Sequence, residues 1–399
     1  MKKISLIAAG LLVMAGANAQ QALWGGAKVV SPEVNPDNTV TFRLLAPEAE
    51  VVQVTGDFLA TQKMEVPNFG EVDVPGVVDL VKGEDGVWSF TTAEPLNPEL
   101  YMYSFIVDGL RMMDPSNVYM IRDVATVTNV FLIDGDRAHY YKVNDVPHGT
   151  VSRVWYESPG LDKKRRMTIY TPPGYEDSND SYPVFYLLHG AGGDEEAWIA
   201  LGRTAQILDN LIAEGKAEPM IVVMTNGNPS QEAAPGETSQ GFIQPGMDVS
   251  RMNAGEFETS FPDVVNYVDK HYRTKADKAH RAIAGLSMGG FHSLHTSKLY
   301  PDLFDYVGLF SAAIFPFEGR DSAPVYQDFE GKLATQFEKN PKLYWIAIGD
   351  KDFLYQDNVK YREMLDSKGY PYVYYETPDG HIWKNWRIYL TEFAPQLFK

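Results

Sequence analysis

The sequence lacks cysteine altogether. This absence excludes disulfide bonds, lipid attachment through cysteine, thiol nucleophiles and cysteine-ligated metals. Basic residues are fewer than acidic ones: the sequence has 35 lysines and arginines and 53 aspartates and glutamates, which gives a formal net charge of −18. A surface of that sign repels phosphate backbones and anionic lipid, so we expect neither nucleic acid nor a membrane surface as a partner.

Long hydrophobic runs are few, and the most prominent one lies at the N-terminus. Two lysines near the start precede an apolar run over residues 4–15, and Ala17 and Ala19 then place small residues at the two positions that signal peptidase reads. The run is too short to span a bilayer, and no second hydrophobic span follows. The pattern predicts a signal peptide over residues 1–19, cleaved after Ala19, with export to the periplasm or beyond the cell.

The length of 399 residues is comfortable for two domains, and a hydrophobic content of 44% allows a sizeable core. Short β-rich runs separated by turn clusters recur over residues 22–135. The run at 100–108 alternates, with Tyr101, Tyr103 and Phe105 on one face and the residues between them on the other. We therefore expect an all-β antiparallel sandwich over residues 22–135.

Three pieces of this region carry a family resemblance: FRLLAPEAEVVQVTGDF, DGVWSFTTAEPLNPELYMYSFIVDG and MDPSN. They resemble the immunoglobulin-like early-set domains grouped with family-48 carbohydrate-binding modules. The resemblance implies an accessory domain that often packs against a catalytic domain and need not bind sugar. Trp88 and Tyr101 are candidate sugar platforms, with core or interdomain packing as the favoured alternative.

A polar stretch over residues 136–149 is interpreted as a linker, and the pattern changes from residue 150 onward. Apolar, strand-like runs then alternate with helix-like segments. Continuous apolar strands separated by amphipathic helices predict an α/β domain over 150–399, with a mostly parallel central sheet covered on both faces. The strand-like runs lie at residues 167–170, 184–189, 221–225, 282–287, 306–311, 344–349 and 372–376.

The strongest local motif is GLSMGG at residues 285–290. An apolar strand, RAIA, precedes it, and a helix-like stretch, FHSLHTSKLYPDLF, follows. Strand, sharp turn and helix are the context of a nucleophile elbow, in which the turn pushes a serine hydroxyl out at the end of the sheet. Glycines are needed there because a side chain would collide with the neighbouring strand or helix. Ser287 is therefore the candidate nucleophile, against the alternative of a structural turn.

A serine hydroxyl needs a histidine base, which in this chain order comes after the nucleophile and after an acid. Of the eight histidines, three follow Ser287. His292 and His295 lie on the helix directly behind the nucleophile and are unable to turn back to its hydroxyl. His381 remains, in a loop just past the strand-like run 372–376, where the base of such a triad is expected.

The acid is expected in the loop that follows the preceding strand-like run, within WIAIGDKD. Asp350 and Asp352 are both candidates. Asp350 immediately follows Gly349 and can shape the turn through its side chain. Asp352 lies two residues further on, where the loop can fold back over the edge of the sheet, so we favour Asp352.

Hydrolysis also needs backbone donors for the oxyanion of the tetrahedral intermediate. One candidate is the amide of Met288, the residue after the nucleophile. The other is expected in the glycine-rich loop after the strand YLL, where we assign Ala191, with Gly192 as the alternative. His189 opens this loop and is interpreted as a residue that braces it.

Residues 150–399 resemble the esterase D-like group of α/β-hydrolases in the pieces RRMTIYTPPGY, YPVFYLLHGAGGDEEAW, AGLSMGG, IGDKDFLY and GHIWKNWRIYLTEFAPQLF. Within that group they are most similar to carbohydrate esterase family one, with its feruloyl and acetylxylan esterases of plant-cell-wall breakdown. The resemblance implies an α/β-hydrolase fold with the triad roles on Ser287, Asp352 and His381. Many fungal feruloyl esterases use disulfides, so this cysteine-free chain departs from those members.

The implied reaction is two-step ester hydrolysis, which needs neither a metal nor a cofactor. Trp198 and Trp383 are candidates for the walls of an aromatic acyl pocket, with a place in the core as the alternative. Phe257 and Phe315 are weaker candidates for the same walls. The expected partners are ester-bearing polysaccharides or oligosaccharides of the plant cell wall, and the sequence indicates no oligomeric state.

Three functions compete at this point. The first is a secreted feruloyl esterase that acts on plant xylan. The second is another esterase of the same fold, either an acetylxylan esterase or an enterobactin-type siderophore esterase. The third is a non-enzymatic glycan-binding protein, against which the complete set of triad residues argues.

Overall fold

The computed structural model describes residues 29–66, 70–242, 246, 251–316 and 322–399. The predicted signal peptide therefore lies outside the described residues. The chain divides into two compact units. The first takes the described residues through Met120 together with Thr128–Ile133, and the second takes Ile121–Val127 and Asp134–Lys399. No helix of the described ranges has the length and apolar character that crossing a bilayer requires.

The strands before residue 134 are short and form antiparallel sheets, and they belong to the first unit except at Ile121–Val127. One sheet has the order β1-β2-β8-β7, the other has the order β11-β12-β9-β3-β6 with β10 paired to β9, and β4 pairs with β5. The strands are β1 (Glu33–Val34), β2 (Val40–Leu45), β3 (Val52–Gly56), β4 (Thr61–Val66), β5 (Gly70–Pro75), β6 (Val77–Asp79), β7 (Val81–Lys82), β8 (Val87–Thr91), β9 (Glu99–Val107), β10 (Leu110–Met112), β11 (Met120–Asp123) and β12 (Thr126–Ile133).

A shared aromatic core joins these two sheets. Phe42 of β2 packs edge-on against Tyr103 of β9, with ring centroids 5.0 Å apart, and against Phe131 of β12 at 5.6 Å. Trp88 is buried in the same cluster, and its indole N–H donates to the carbonyl of Ala46 over 2.8 Å. The prediction of an antiparallel sandwich is confirmed, and the burial of Trp88 places this side chain in the core rather than on a sugar-binding surface.

Residues 136–149, which we predicted to be a linker, contain ordered and partly buried structure. A 3-10 helix spans Asp136–Tyr141, and the side chains of Ala138 and Tyr141 are fully buried. The Asn210 amide donates to the carbonyls of Tyr140 and Lys142, both over 3.0 Å. Because its apolar residues and its carbonyls are held within the second unit, this stretch is part of that unit and not a free connection.

The second unit contains a mixed, eight-stranded sheet with the order β13-β14-β16-β15-β17-β18-β19-β20. The pairs β13–β14 and β14–β16 are antiparallel, and the remaining pairs are parallel. The strands are β13 (Thr150–Ser158), β14 (Lys163–Thr171), β15 (Val184–Leu188), β16 (Ile221–Thr225), β17 (Arg281–Leu286), β18 (Tyr306–Phe310), β19 (Leu343–Gly349) and β20 (Val373–Thr377).

Helices cover both faces of this sheet. Phe185 and Tyr186 are neighbours on β15 and so point to opposite faces. Phe185 packs against Phe393 at 5.7 Å, and Tyr186 packs against Phe261 at 5.3 Å. The helices are α1 (Ala197–Ala200), α2 (Thr204–Ala213), α3 (Glu256–His271), α4 (Met288–Leu299), α5 (Phe329–Glu338), α6 (Tyr355–Lys368) and α7 (Trp383–Phe393). The predicted α/β architecture is confirmed.

The register of the parallel strands fixes where their loops meet. Leu188 of β15 pairs with Gly285 of β17, and Gly349 of β19 pairs with Thr377 of β20. The carboxyl ends of parallel strands share one edge of a sheet, which is where ligands bind in α/β folds. All the loops in which we expect functional residues leave the sheet at this edge.

Candidate active site

Ser287 lies at the turn between β17 and α4 and has backbone angles φ 52 and ψ −113. A positive φ is uncommon for a residue with a side chain and persists only where the surroundings enforce it. Here the Ser287 amide donates to the Phe310 carbonyl over 2.9 Å, and the Ser287 carbonyl accepts from Phe291 at 3.0 Å and from Ala313 at 3.1 Å. The serine is thus fixed in the conformation of a nucleophile elbow.

The glycines around Ser287 are required by close backbone contacts. A Cβ atom at Gly289 would lie 2.3 Å from the Leu188 carbonyl oxygen, and one at Gly285 would lie 2.5 Å from the Gly289 carbonyl carbon. At Gly290 it would lie 2.5 Å from Cβ of Ala312. These distances confirm that side chains at the three positions would collide with a neighbouring strand, helix or loop.

His381 is held by Asp352, with 2.8 Å between Nδ1 of the histidine and Oδ2 of the aspartate. The Asp352 side chain is fully buried, and its Oδ1 accepts from the Leu354 amide over 2.9 Å. Because Nδ1 faces a carboxylate, Nδ1 carries the proton and Nε2 is left to accept one. Asp350 is exposed, and its backbone amide donates to the Thr377 carbonyl over 2.9 Å. Of the two candidate acids, Asp352 therefore makes the contact.

Two aromatic rings flank His381, and the sequence reasoning did not single out either one. The ring centroid of Phe353 lies 4.6 Å from that of His381, and the Trp386 ring lies 5.0 Å away at an interplanar angle of 86°. Trp386 is buried, whereas Phe353 is exposed. The position of Phe353 directly after the favoured acid is the signal that would have identified it.

The loop after β15 runs beside the nucleophile. A Cβ atom at Gly190 would lie 2.5 Å from Cδ1 of Leu286 and 3.3 Å from Cβ of Ser287, so a side chain here would force its neighbours to shift. The Gly193 amide turns back to the Gly190 carbonyl over 3.1 Å, which leaves the Ala191 amide outside that bond. Met288 is the first residue of α4, where an amide has no acceptor within its own helix. Ala191 and Met288 stay the predicted oxyanion donors.

His189 joins this loop to the loop after β16. Its Nε2 accepts from the Gly227 amide over 2.7 Å, and its Nδ1 donates to the Gly190 carbonyl over 2.7 Å. Burial lowers the pKa of His189 to about 4, so the neutral form that this geometry needs is the one present at neutral pH. The residue braces the loop as expected.

Trp198 and Trp383 lie in the core and not on a pocket wall. Their side chains are 1% and 6% exposed, and they pack edge to face with 5.4 Å between ring centroids. The indole N–H of Trp198 donates to the Leu188 carbonyl over 2.8 Å and so supports the end of β15. Phe257 is also buried, and Phe315 is exposed. The expectation that these tryptophans face an acyl group is therefore corrected, because other side chains cover them.

Both histidines behind the nucleophile are enclosed in the core, and His292 has a partner of its own. His292 Nδ1 lies 2.7 Å from Glu258 Oε1, and the Tyr326 hydroxyl donates to Glu258 Oε2 over 3.1 Å. His292, His295 and Glu258 are fully buried. The geometry agrees with the exclusion of both histidines as the base. Within the described ranges, no group of three or more histidine, aspartate or glutamate side chains is arranged to hold a metal ion.

The Esterase family model matches residues 158–397. The chain belongs to the Esterase family. Among curated proteins, this esterase is 30% identical to an endo-1,4-beta-xylanase/feruloyl esterase of Xylanibacter ruminicola over 375 residues, which are 92% of this chain and 46% of that protein. It is 32% identical to endo-1,4-beta-xylanase Y of Acetivibrio thermocellus over 162 residues, 38% of this chain and 13% of that protein. This esterase thus spans less than half the length of either relative.

Solved structures show the same fold. A ferulic acid esterase of carbohydrate esterase family one from Anaeromyces mucronatus, in complex with ferulic acid, aligns with a TM-score of 0.52 and 25% identity, covering 65% of this chain and 95% of that one. The enterobactin esterase of Shigella flexneri aligns with a TM-score of 0.60 and 15% identity, covering 90% and 93%. The second match is a likeness of fold alone. The resemblance to carbohydrate esterase family one is confirmed.

Proposed function

We propose that this chain is a serine carboxylic ester hydrolase that releases hydroxycinnamic acids from plant arabinoxylan outside the cytoplasm. The observation that carries the proposal is the 2.8 Å contact between His381 and Asp352 at the sheet edge where the strained Ser287 also lies. A fixed serine, a histidine with a free Nε2 and a buried carboxylate are together the parts of an acyl-transfer site.

In the first step, Nε2 of His381 takes the proton of the Ser287 hydroxyl as Oγ attacks the ester carbonyl carbon. The oxyanion that forms accepts hydrogen bonds from the amides of Ala191 and Met288. His381 then gives the proton to the alcohol oxygen as the bond between that oxygen and the acyl carbon breaks. Asp352 keeps the imidazole in the correct tautomer and stabilises its protonated form.

In the second step, water takes the place of the alcohol. His381 removes a proton from the water as its oxygen attacks the acyl carbon on Ser287. The bond from the acyl carbon to Oγ breaks, and the proton passes to Oγ, which restores the serine and frees the acid. Apart from the ester and water, every step uses only side chains and amides of the described residues.

The substrate class is supported by the relatives. The Xylanibacter protein that matches 92% of this chain is named for both xylanase and feruloyl esterase activity. The Anaeromyces structure carries ferulic acid and is named a ferulic acid esterase. The basic start and apolar run of the N-terminal segment are features of a signal peptide and so support export. Export agrees with a xylan substrate, which lies outside the cell.

Acetylxylan esterase is the second candidate, and the burial of Trp198 and Trp383 favours it. Because both tryptophans lie in the core, they do not form the walls of an aromatic acyl pocket. A flat aromatic wall would favour a feruloyl over an acetyl group because the larger acyl group buries more apolar area.

The deciding experiment compares kcat/KM for methyl ferulate with that for methyl acetate, so that the leaving group is matched. We expect methyl ferulate to be preferred by at least about tenfold, the ratio that about 1.4 kcal/mol of extra binding produces. A tenfold preference for acetate would promote the acetylxylan esterase. Ser287→Ala serves as the control for background hydrolysis.

A further inference from the structure

Phe353 combines strong exposure with a position beside the base of the proposed triad. Its side chain is 76% exposed, ahead of Phe242 at 73% and Tyr119 at 67% among the described aromatic residues. Single exposed apolar residues are normal on protein surfaces and carry no meaning by themselves. The place of this residue is what matters, because its ring lies 4.6 Å from the His381 ring.

The backbone on both sides of Phe353 is fixed by hydrogen bonds. The Asp352 amide donates to the Gly349 carbonyl over 3.1 Å, and the Tyr355 amide donates to the Asp352 carbonyl over 2.9 Å. The Asp352 carboxylate accepts from the Leu354 amide. Phe353 therefore stands at the tip of a rigid turn, and a ligand that contacts it need not order the loop first.

The chemistry of the first step places one half of the substrate here. His381 must give its proton to the alcohol oxygen, so that oxygen has to come within hydrogen-bonding distance of Nε2, about 3 Å. The acyl half lies on Ser287, with its oxyanion toward the amides of Ala191 and Met288. The alcohol half consequently leaves along His381, whose ring lies 4.6 Å from the exposed ring of Phe353.

We propose that Phe353 is the platform for the sugar that forms the alcohol half of the ester, a proposal that rests on the proposed function. A pentose ring presents a face of C–H groups that packs on an aromatic ring while its hydroxyls remain in water. Phenylalanine offers no polar group, so the contact selects for a ring and not for a particular pattern of hydroxyls. Methanol is too small to cover the Phe353 ring.

The test uses Phe353→Ala and, as the matched variant, Phe353→Tyr in the full chain. Each is assayed on two pairs of esters with a common acyl group: a feruloylated arabino-oligosaccharide with methyl ferulate, and an acetylated xylo-oligosaccharide with methyl acetate. In Phe353→Ala we expect kcat/KM for the sugar ester to fall about fivefold to tenfold, as for the loss of one aromatic contact. The methyl ester should change less than about twofold, and Phe353→Tyr should behave like the parent on both.

Three results would overturn this proposal. An equal loss on the sugar and methyl esters would mean that Phe353 only positions His381. No loss of kcat/KM on either ester would mean that the sugar does not touch this ring. A parent chain that hydrolyses none of the four esters would refute the proposed function and this platform with it, whereas the first two results leave the proposed function intact.

Discussion

Asp352 Oδ2 and His381 Nδ1 lie 2.8 Å apart, and Asp350, two residues earlier, takes no part in this contact. We expect Asp352→Asn to lower kcat by about 10⁴-fold, because an amide would hold the imidazole in the wrong tautomer, as in a serine protease. Asp350→Asn, the matched control, should stay within about threefold of the parent, since the Asp350 side chain is exposed. Steady-state kinetics on an activated aryl ester measures both, and the reverse ranking would move the role to Asp350.

Ser287→Ala should abolish turnover while the chain stays folded. Loss of the nucleophile in such a site costs at least about 10⁴-fold in kcat. Circular dichroism and thermal melting check the fold, and burst kinetics on an aryl ester checks that acyl-enzyme no longer forms. Turnover near the parental rate in the folded variant would mean that another group is the nucleophile.

Gly289→Ala should damage both stability and activity. Its Cβ would lie 2.3 Å from the Leu188 carbonyl oxygen and 2.6 Å from that of His189, and both are backbone atoms that cannot give way easily. We expect a loss of about 1–3 kcal/mol in the free energy of unfolding, the usual cost of overpacking, together with a lower kcat. Gly246→Ala is the control, because a Cβ there would meet no described residue within 4 Å apart from its chain neighbours. Equal melting curves for the two variants would contradict the contact.

Lys298 should make the stability depend on pH. Its side chain is buried on α4, and desolvation lowers its pKa to about 6 from an ordinary value of 10.5. The unfolded chain then binds more protons than the folded chain between pH 6 and 10.5, so stability should rise with pH across that window. At pH 7, Lys298→Met should have a free energy of unfolding that is higher than the parent's by on the order of a few kcal/mol. Its stability should no longer rise with pH across this window.

The control for this change is Lys360→Met, at an exposed lysine on α6. It should shift the free energy of unfolding by no more than about 0.5 kcal/mol and keep the pH dependence of the parent. Urea titrations at pH 6, 7, 8 and 9 provide the comparison. A parental slope in Lys298→Met would show that Lys298 is not the group responsible.

The proposed triad could be named from the sequence because its signals are local. Ser287 lies in a glycine motif between a strand and a helix, and His381 and Asp352 each follow a strand, so chain order and strand ends were sufficient. The sequence favoured Asp352 over Asp350 without excluding Asp350, because a loop of this length can present either carboxylate. In the structure it is the Asp352 carboxylate that lies 2.8 Å from His381 Nδ1.

Other features depend on packing that the sequence does not display. Trp198 and Trp383 stand beside functional loops in the sequence, but each is covered by the ring of the other. Ala138 and Tyr141 are isolated apolar residues in a polar stretch, and their burial depends on partners such as Asn210 that lie far along the chain. Both interpretations took proximity in sequence as a guide to surroundings in space.

The φ of 52 at Ser287 lowers the stability of the fold at the position where the proposed nucleophile has to lie. Backbone angles of this kind cost about 1–3 kcal/mol for residues with a side chain, and glycine adopts them without that strain. Ser287→Gly should therefore be more stable than either the parent or Ser287→Ala, which keeps a Cβ. At this position the catalytically competent serine is therefore expected to be less stable than the inactive Ser287→Gly variant.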